Sequence, residues 1–217
     1  MRLTVLQRRA WKALAGLSSR PVLFGGAALL AWDISTRPTQ DLDLLWSGVD
    51  SLASLPAEVT AALQAAGFEV DTVQRAPTFV RLSARIGGEA IVLDLVAEPG
   101  AALSSPVAID VDGVRLDVAP PSQLLVDKLC ALLSRQEGRD LQDLAALLGS
   151  GLDLTTALAA APARDGGFSA LTLAWILRGW RMAPVGATCR WDAAMTAAMT
   201  AFRDDLVERL VAAVSTD

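Results

Sequence analysis

Apolar and polar positions along the chain change period twice, from helical to strand-like and back to helical. Leu3, Leu6, Ala10, Leu14 and Leu17 recur at helical spacing with Arg8, Arg9 and Lys12 between them. Residues 3–17 are therefore expected to form an amphipathic helix with a solvated basic side, ending near Ser18-Ser19 before Pro21. Val22-Leu23-Phe24 is a short apolar run of the strand kind, broken by Gly25-Gly26. Ala27 to Ile34 has the composition of a short helix, and Arg37-Pro38-Thr39 reads as a loop. Gln40 to Trp46 then alternates, so a strand there places Asp41 and Asp43 on one face and Leu42 and Leu44 on the other.

Further along, Ser54 to Ala66 reads as a helix with Pro56 in its first turn and Gly67 as its stop. Phe68 to Val73, Thr78 to Ile86, Ala90 to Val96, Val107 to Val111 and Val114 to Val118 read as strands. Gly87-Gly88 and Asp112-Gly113 are their hairpin turns. Ala119-Pro120-Pro121-Ser122 marks a break in composition, because proline cannot continue sheet pairing and suits a helix start. Beyond it the pattern is helical: Ser122 to Leu133, Arg139 to Leu148, Thr155 to Ala161, Ser169 to Trp180 and Asp192 to Val214. Glycines and Pro184-Val185-Gly186 serve as punctuation. The expected fold class is α+β: a mixed, largely antiparallel sheet flanked by helices over residues 1–119, then a C-terminal helical bundle over residues 120–217.

Composition narrows the chemistry. A hydrophobic content of 53% over 217 residues is ample for a core. A formal net charge of −5 argues against a general nucleic-acid coat. The apolar runs are short and interrupted by charge, and the basic N-terminal stretch lacks the apolar region of a signal peptide, so a cytoplasmic protein with no membrane partner is expected. Cys130 and Cys189 are the only cysteines and form no CxxC, which fits a reducing compartment. The absence of histidine excludes a His-based triad, a His-ligated zinc site and a His general base. No Walker A loop, GxGxxG or GxSxG is present.

What remains is carboxylate chemistry. Asp41 and Asp43 repel one another on one strand face unless a cation lies between them. Asp94 interrupts the apolar run Ile91-Val92-Leu93-Asp94-Leu95-Val96 and must be paired, metal-bound or at a sheet surface. If the two strands are neighbours, three hard oxygen donors could converge, and such a set selects Mg²⁺ or Mn²⁺. Two such ions about 4 Å apart form the usual arrangement for phosphoryl transfer. The Gly25-Gly26 turn, with a helix N-terminus behind it, offers backbone N–H groups to phosphate.

Phe24-Gly25-Gly26 followed by Asp41-Leu42-Asp43-Leu44 resembles the signature of the DNA polymerase β-like nucleotidyltransferases, with Gly26 where many members have serine. The wording from Gly25 to Trp46, with a downstream lysine and aspartate, resembles the AbiEii branch, which holds abortive-infection and type IV toxin–antitoxin toxins. The resemblance covers about residues 20–147. It implies a nucleotidyltransferase-like fold in which Asp41 and Asp43 bind the metal–nucleotide and Asp94 completes the metal site. It also implies a functional lysine and acidic residue in the helices after the sheet, a place that Lys128 and then Asp140 or Asp143 fill, with Asp143 favoured. Lys128 would neutralise triphosphate as a point charge, Asp143 would orient it or take part in proton transfer, and Arg37 would contact phosphate.

The function expected is metal-dependent transfer of a nucleoside monophosphate from a nucleoside triphosphate to a hydroxyl acceptor. Asp41, Asp43, Asp94, Lys128 and Asp143 would carry it, Gly25, Gly26 and Arg37 would bind the nucleotide, and the helical region would select the acceptor. In the family resembled, that acceptor is a tRNA 3′ end, a protein side chain or a small molecule, and the partner is a winged-helix antitoxin. Arg178, Arg181 and Arg190, with Trp175, Trp180 and Trp191 nearby, are the candidate basic patch for RNA. The alternative is a non-catalytic protein of the same fold that binds a nucleotide or an antitoxin.

Overall fold

A computed structural model describes residues 3–100, 104–111 and 113–214. The chain folds as two compact units, Met1–Pro120 and Pro121–Asp217.

The first unit is a mixed seven-stranded sheet with helices, built from β1 (Val22–Phe24), β2 (Asp41–Ser47), β3 (Glu69–Arg75), β4 (Phe79–Ile86), β5 (Glu89–Glu98), β6 (Val107–Val111) and β7 (Val114–Val118). The strand order is β3-β4-β5-β2-β1-β7-β6. The β1–β2, β3–β4, β4–β5 and β6–β7 pairs are antiparallel, and β1–β7 and β2–β5 are parallel. The expected α+β class with a mixed, largely antiparallel sheet is thus the one observed. Gly87 and Gly88 both have positive φ, as a two-residue hairpin turn between β4 and β5 requires. Asp112, half of the other expected turn, lies outside the described residues.

Alternation along the central strands divides the sheet into two faces. Leu42, Leu44, Leu82, Leu93 and Leu95 are fully buried on one of them, the side packed by α1 (Val5–Ala13) and α3 (Leu55–Ala65). The opposite face carries Asp41, Asp43, Arg81 and Asp94.

The first helix shows how the fold reaches the site. Thr4 and Gln7 form a capping box: Gln7 N–H donates to Thr4 Oγ1, and Thr4 N–H donates to Gln7 Oε1. Gln7 is fully buried, and its amide nitrogen donates to the carbonyls of Thr39 at 3.0 Å and Asp41 at 3.3 Å. One side chain therefore caps α1 and fixes the start of β2, the strand that presents the aspartates.

Both ends of the second helix differ from the expected ones. The second helix, α2 (Gly25–Ala31), includes both glycines in its first turn. It stops three residues before Ile34 because Asp33 turns left-handed (φ 58°), with Asp33 N–H donating to the Leu30 carbonyl and Ile34 N–H to the Leu29 carbonyl. This is a Schellman stop with aspartate in the usual place of glycine.

The second unit is helical: α4 (Pro121–Ser134), α5 (Gly138–Gly149), α6 (Leu154–Arg164), α7 (Ala170–Arg178), α8 (Met182–Cys189) and α9 (Ala193–Val214). Helix α8 was not expected, because Pro184 and Gly186 read as a breaker. Pro184 instead sits in the first turn, where its missing N–H is not needed. The helix ends through left-handed Arg190, with Trp191 N–H donating to the Gly186 carbonyl at 2.8 Å.

Substituting Gln7 by Leu keeps the volume but removes the bonds to two part-buried carbonyls and half of the cap. We expect a loss of about 1–3 kcal/mol in urea unfolding. An unchanged midpoint would show that Gln7 does not tie α1 to β2.

Candidate functional site

In the parallel β2–β5 pair Asp43 stands opposite Asp94, and Asp41 stands opposite Val92. In the antiparallel β4–β5 pair Arg81 stands opposite Asp94, and on the other side Phe24 of β1 stands opposite Asp43. One row across four strands therefore reads Arg81, Asp94, Asp43, Phe24, with Gly25 directly following. The register brings the two motif aspartates and Asp94 to one face, as the alternation implied.

The side chains in that row do not act alike. Asp41 and Asp43 are half-buried, whereas Asp94 is 8% exposed. Both Asp94 oxygens accept from Arg81: Nε to Oδ1 at 2.7 Å and Nη2 to Oδ2 at 2.6 Å. This is the bidentate fork that suits a guanidinium to a carboxylate. The Arg81 guanidinium also lies 5.7 Å from the centre of the Phe79 ring. Its pKa is raised, first by the hydrogen bonds to Asp94 and further by the charges of Asp94, Asp41 and Asp43. Arg81 was missed in the sequence. Its signal was its place on the polar side of an alternating strand, which does not reveal its partner.

Gly25 is explained by Asp43. Its φ is +67°, and a Cβ added there would collide with the Asp43 carboxylate, 2.7 Å from its carboxyl carbon. A Cβ at Gly26 would stand 3.0 Å from Arg37 Nη2. The glycines thus admit Asp43 and Arg37 against the backbone of α2. Arg37 is half-buried, with its backbone N–H donating to Ser35 Oγ at 3.2 Å.

The fit to a divalent cation divides along the same line. Asp41 and Asp43 are hard oxygen donors two residues apart on one accessible strand face, which suits Mg²⁺ or Mn²⁺. Asp94 does not fit as it stands, because both its oxygens are held by Arg81. Among the described residues no group of three or more His, Cys, Asp or Glu side chains is placed to hold a metal ion.

In the helical unit, Lys128 Nζ lies 2.8 Å from Asp140 Oδ1 and 2.7 Å from Asp143 Oδ2, and Arg135 Nε lies 2.8 Å from Asp140 Oδ2. Lys128, Asp140 and Asp143 are all buried. Two cations and two carboxylates give a neutral cluster that joins α4 to α5. Burial alone would pull the Lys128 pKa down, but the charges and hydrogen bonds of Asp143 and Asp140 outweigh it and hold it above 10.5. Burial likewise pushes Asp140 up, and Lys128 and Arg135 overcome it and bring it below 3.8. Asp140 and Asp143 thus both pair with Lys128. Cys130 is no nucleophile at neutral pH, since burial and then the charges of Asp165 and Asp127 push its pKa up to about 12.

Of the aromatic residues near the C-terminal arginines, Trp180 is buried, Trp191 Nε1 donates to Gln142 Oε1 at 3.0 Å, and Trp175 is 76% exposed. Arg178, Arg181 and Arg190 are exposed. No helix among the described residues is long and apolar enough to cross a membrane.

The family model described as the nucleotidyl transferase AbiEii toxin of type IV toxin–antitoxin systems matches residues 9–209. The chain belongs to the AbiEii family. The match runs well beyond the span legible from motifs and makes the AbiEii chain a nucleotidyltransferase. Solved structures agree in fold. A candidate nucleotidyltransferase from H. pylori aligns with TM-score 0.52 at 20% identity, covering 94% of this chain and 93% of that one. JHP933 from Helicobacter pylori aligns with TM-score 0.50 at 19% identity, covering 97% and 93%. The antibiotic-resistance factor ANT(2'')-Ia aligns with TM-score 0.50 at 14% identity, covering 73% of this chain and 88% of that one. No curated protein matches.

Two measurements check this geometry. Gly25→Ala should destabilise the AbiEii chain by about 1–2 kcal/mol or more from its left-handed backbone alone. The loss should shrink when Asp43→Ala removes the carboxylate it strikes, and additive losses in that double-mutant cycle would reject the contact. Lys128→Met should cost about 3–5 kcal/mol by taking the shared cation from two buried carboxylates, although Asp140 keeps Arg135. The pH dependence has a definite sign. Asp140, with its pKa lowered, stabilises the fold above pH 3.8, and this is lost as pH falls below that. Lys128, with its pKa raised, stabilises it below pH 10.5, and this is lost as pH rises further. The contribution of this pair to the unfolding free energy should be constant between those limits and fall outside them, and Lys128→Met should lose the alkaline edge and weaken the acid one.

Proposed function

We propose that the protein transfers a nucleoside monophosphate from a nucleoside triphosphate to a hydroxyl acceptor, with Asp41 and Asp43 holding a divalent cation that carries the triphosphate. The observation that supports this most is the pairing of the two carboxylates on one face of β2 with a glycine opened against Asp43. When bound, Mg²⁺ or Mn²⁺ would neutralise phosphate charge and polarise the α-phosphate. The chain's own groups do the positioning. Asp41 and Asp43 fix the ion against β2, and Gln7 fixes the start of that strand. Arg37, at the first turn of α2, is the guanidinium for the phosphates, and Gly25 and Gly26 let them approach the backbone. The acceptor hydroxyl gives its proton to water, its oxygen bonds to the α-phosphorus, the bond to the pyrophosphate oxygen breaks, and pyrophosphate leaves.

The family description supports a toxin role with an antitoxin partner, which we take to be a winged-helix protein acting in the cytoplasm. The acceptor is a tRNA 3′ end, a protein or a small molecule. The acidic balance of the chain weighs against a long RNA footprint.

The test incubates the chain with each labelled triphosphate, Mg²⁺, and separate pools of tRNA, protein and small hydroxyl compounds. One pool should take label, chelation should abolish it, and Asp43→Asn should lower it by about 100-fold or more. Undiminished transfer by Asp43→Asn would reject the mechanism. Failure of every pool would favour the non-catalytic binding role.

A further inference from the structure

The row Arg81, Asp94, Asp43 raises a question that the family reading leaves open: what neutralises Asp94. Asp94 is nearly buried, and its side chain is 11% exposed, while that of Arg81 is 42% exposed. The guanidinium is therefore the outer partner and lies over the solvent side of the carboxylate. It engages one lone pair on each oxygen, at 2.7 and 2.6 Å, and packs against Phe79. A divalent ion bridging Asp43 and Asp94 would sit beside a fixed positive charge and would need an oxygen that already accepts from an N–H.

We propose that Arg81 is a positioning residue that stands in for a second cation at Asp94, so that the resting site takes one divalent ion, on Asp41 and Asp43, and Asp94 serves as the anchor of Arg81. This rests on the reading of Asp41 and Asp43 as metal ligands. A two-ion site would have to form by displacing Arg81, and a guanidinium fork released from one carboxylate is then available to a phosphate. The two readings give different metal counts before any turnover.

The test is Mn²⁺ titration of the full chain without nucleotide, read by electron paramagnetic resonance and calorimetry. Wild type should bind one Mn²⁺ with no spin coupling, and Asp43→Ala should lose it. Asp94→Asn should leave that ion's affinity within about 2-fold, since Asp94 is not its ligand. Arg81→Gln should gain a second Mn²⁺ at least 10-fold tighter than any second binding in wild type, with coupling between the ions. Arg81→Lys, which keeps the charge, should stay at one ion and controls for a folding defect in the glutamine variant. Two coupled ions in wild type, a 10-fold loss in Asp94→Asn, or one ion in a folded Arg81→Gln would each overturn the proposal while leaving the metal reading intact. No Mn²⁺ in wild type would instead sink that reading, and this inference with it.

Discussion

The register between β4, β5 and β2 is the constraint on which the site depends. It sets Arg81 against Asp94 and Asp94 against Asp43. A slip of one residue in either pair would turn the carboxylates into the leucine-packed core and the leucines to solvent. Leu42, Leu44, Leu93 and Leu95, all fully buried, oppose that slip. The apolar face therefore fixes the position of the polar one. Gln7 adds a restraint at the end of β2 that the leucines do not reach.

Charge is handled differently in the two units. On the sheet, Asp94 is paired with Arg81 while Asp41 and Asp43 share its face half-buried. In the helical unit, buried Lys128 and the more exposed Arg135 balance buried Asp140 and Asp143. Such a cluster contributes less to net stability than its short distances suggest, because Lys128, Asp140 and Asp143 have lost their water. Its stronger effect is on specificity of packing, since any slide of α4 along α5 would leave a buried charge alone.

The sequence pattern carried most of the strands because alternation is strict there: Asp41 to Leu44 and Phe79 to Arg85 each show one buried and one partly exposed face. The motif aspartates and the sharing of a face by Asp41 and Asp43 were legible for the same reason. Arg81 was not, because its pairing to Asp94 is set by a hairpin register and local pattern has no means of reporting it. Gly25 was legible as a turn but not as the gap that admits Asp43. Helix α8 was hidden by Pro184, whose meaning reverses between the first turn of a helix and its interior. Asp33 hid the end of α2, because a left-handed aspartate leaves no mark as plain as glycine.

The contact between Gly25 and Asp43 also limits how this chain can drift. A side chain at 25 and a carboxylate at 43 exclude one another, so the two positions form one unit of change. A descendant that discarded the carboxylate would lose the steric reason for glycine at 25, leaving only the backbone angle to hold it. The residue beside the motif would then be free to record, in sequence, that the chemistry had already been given up.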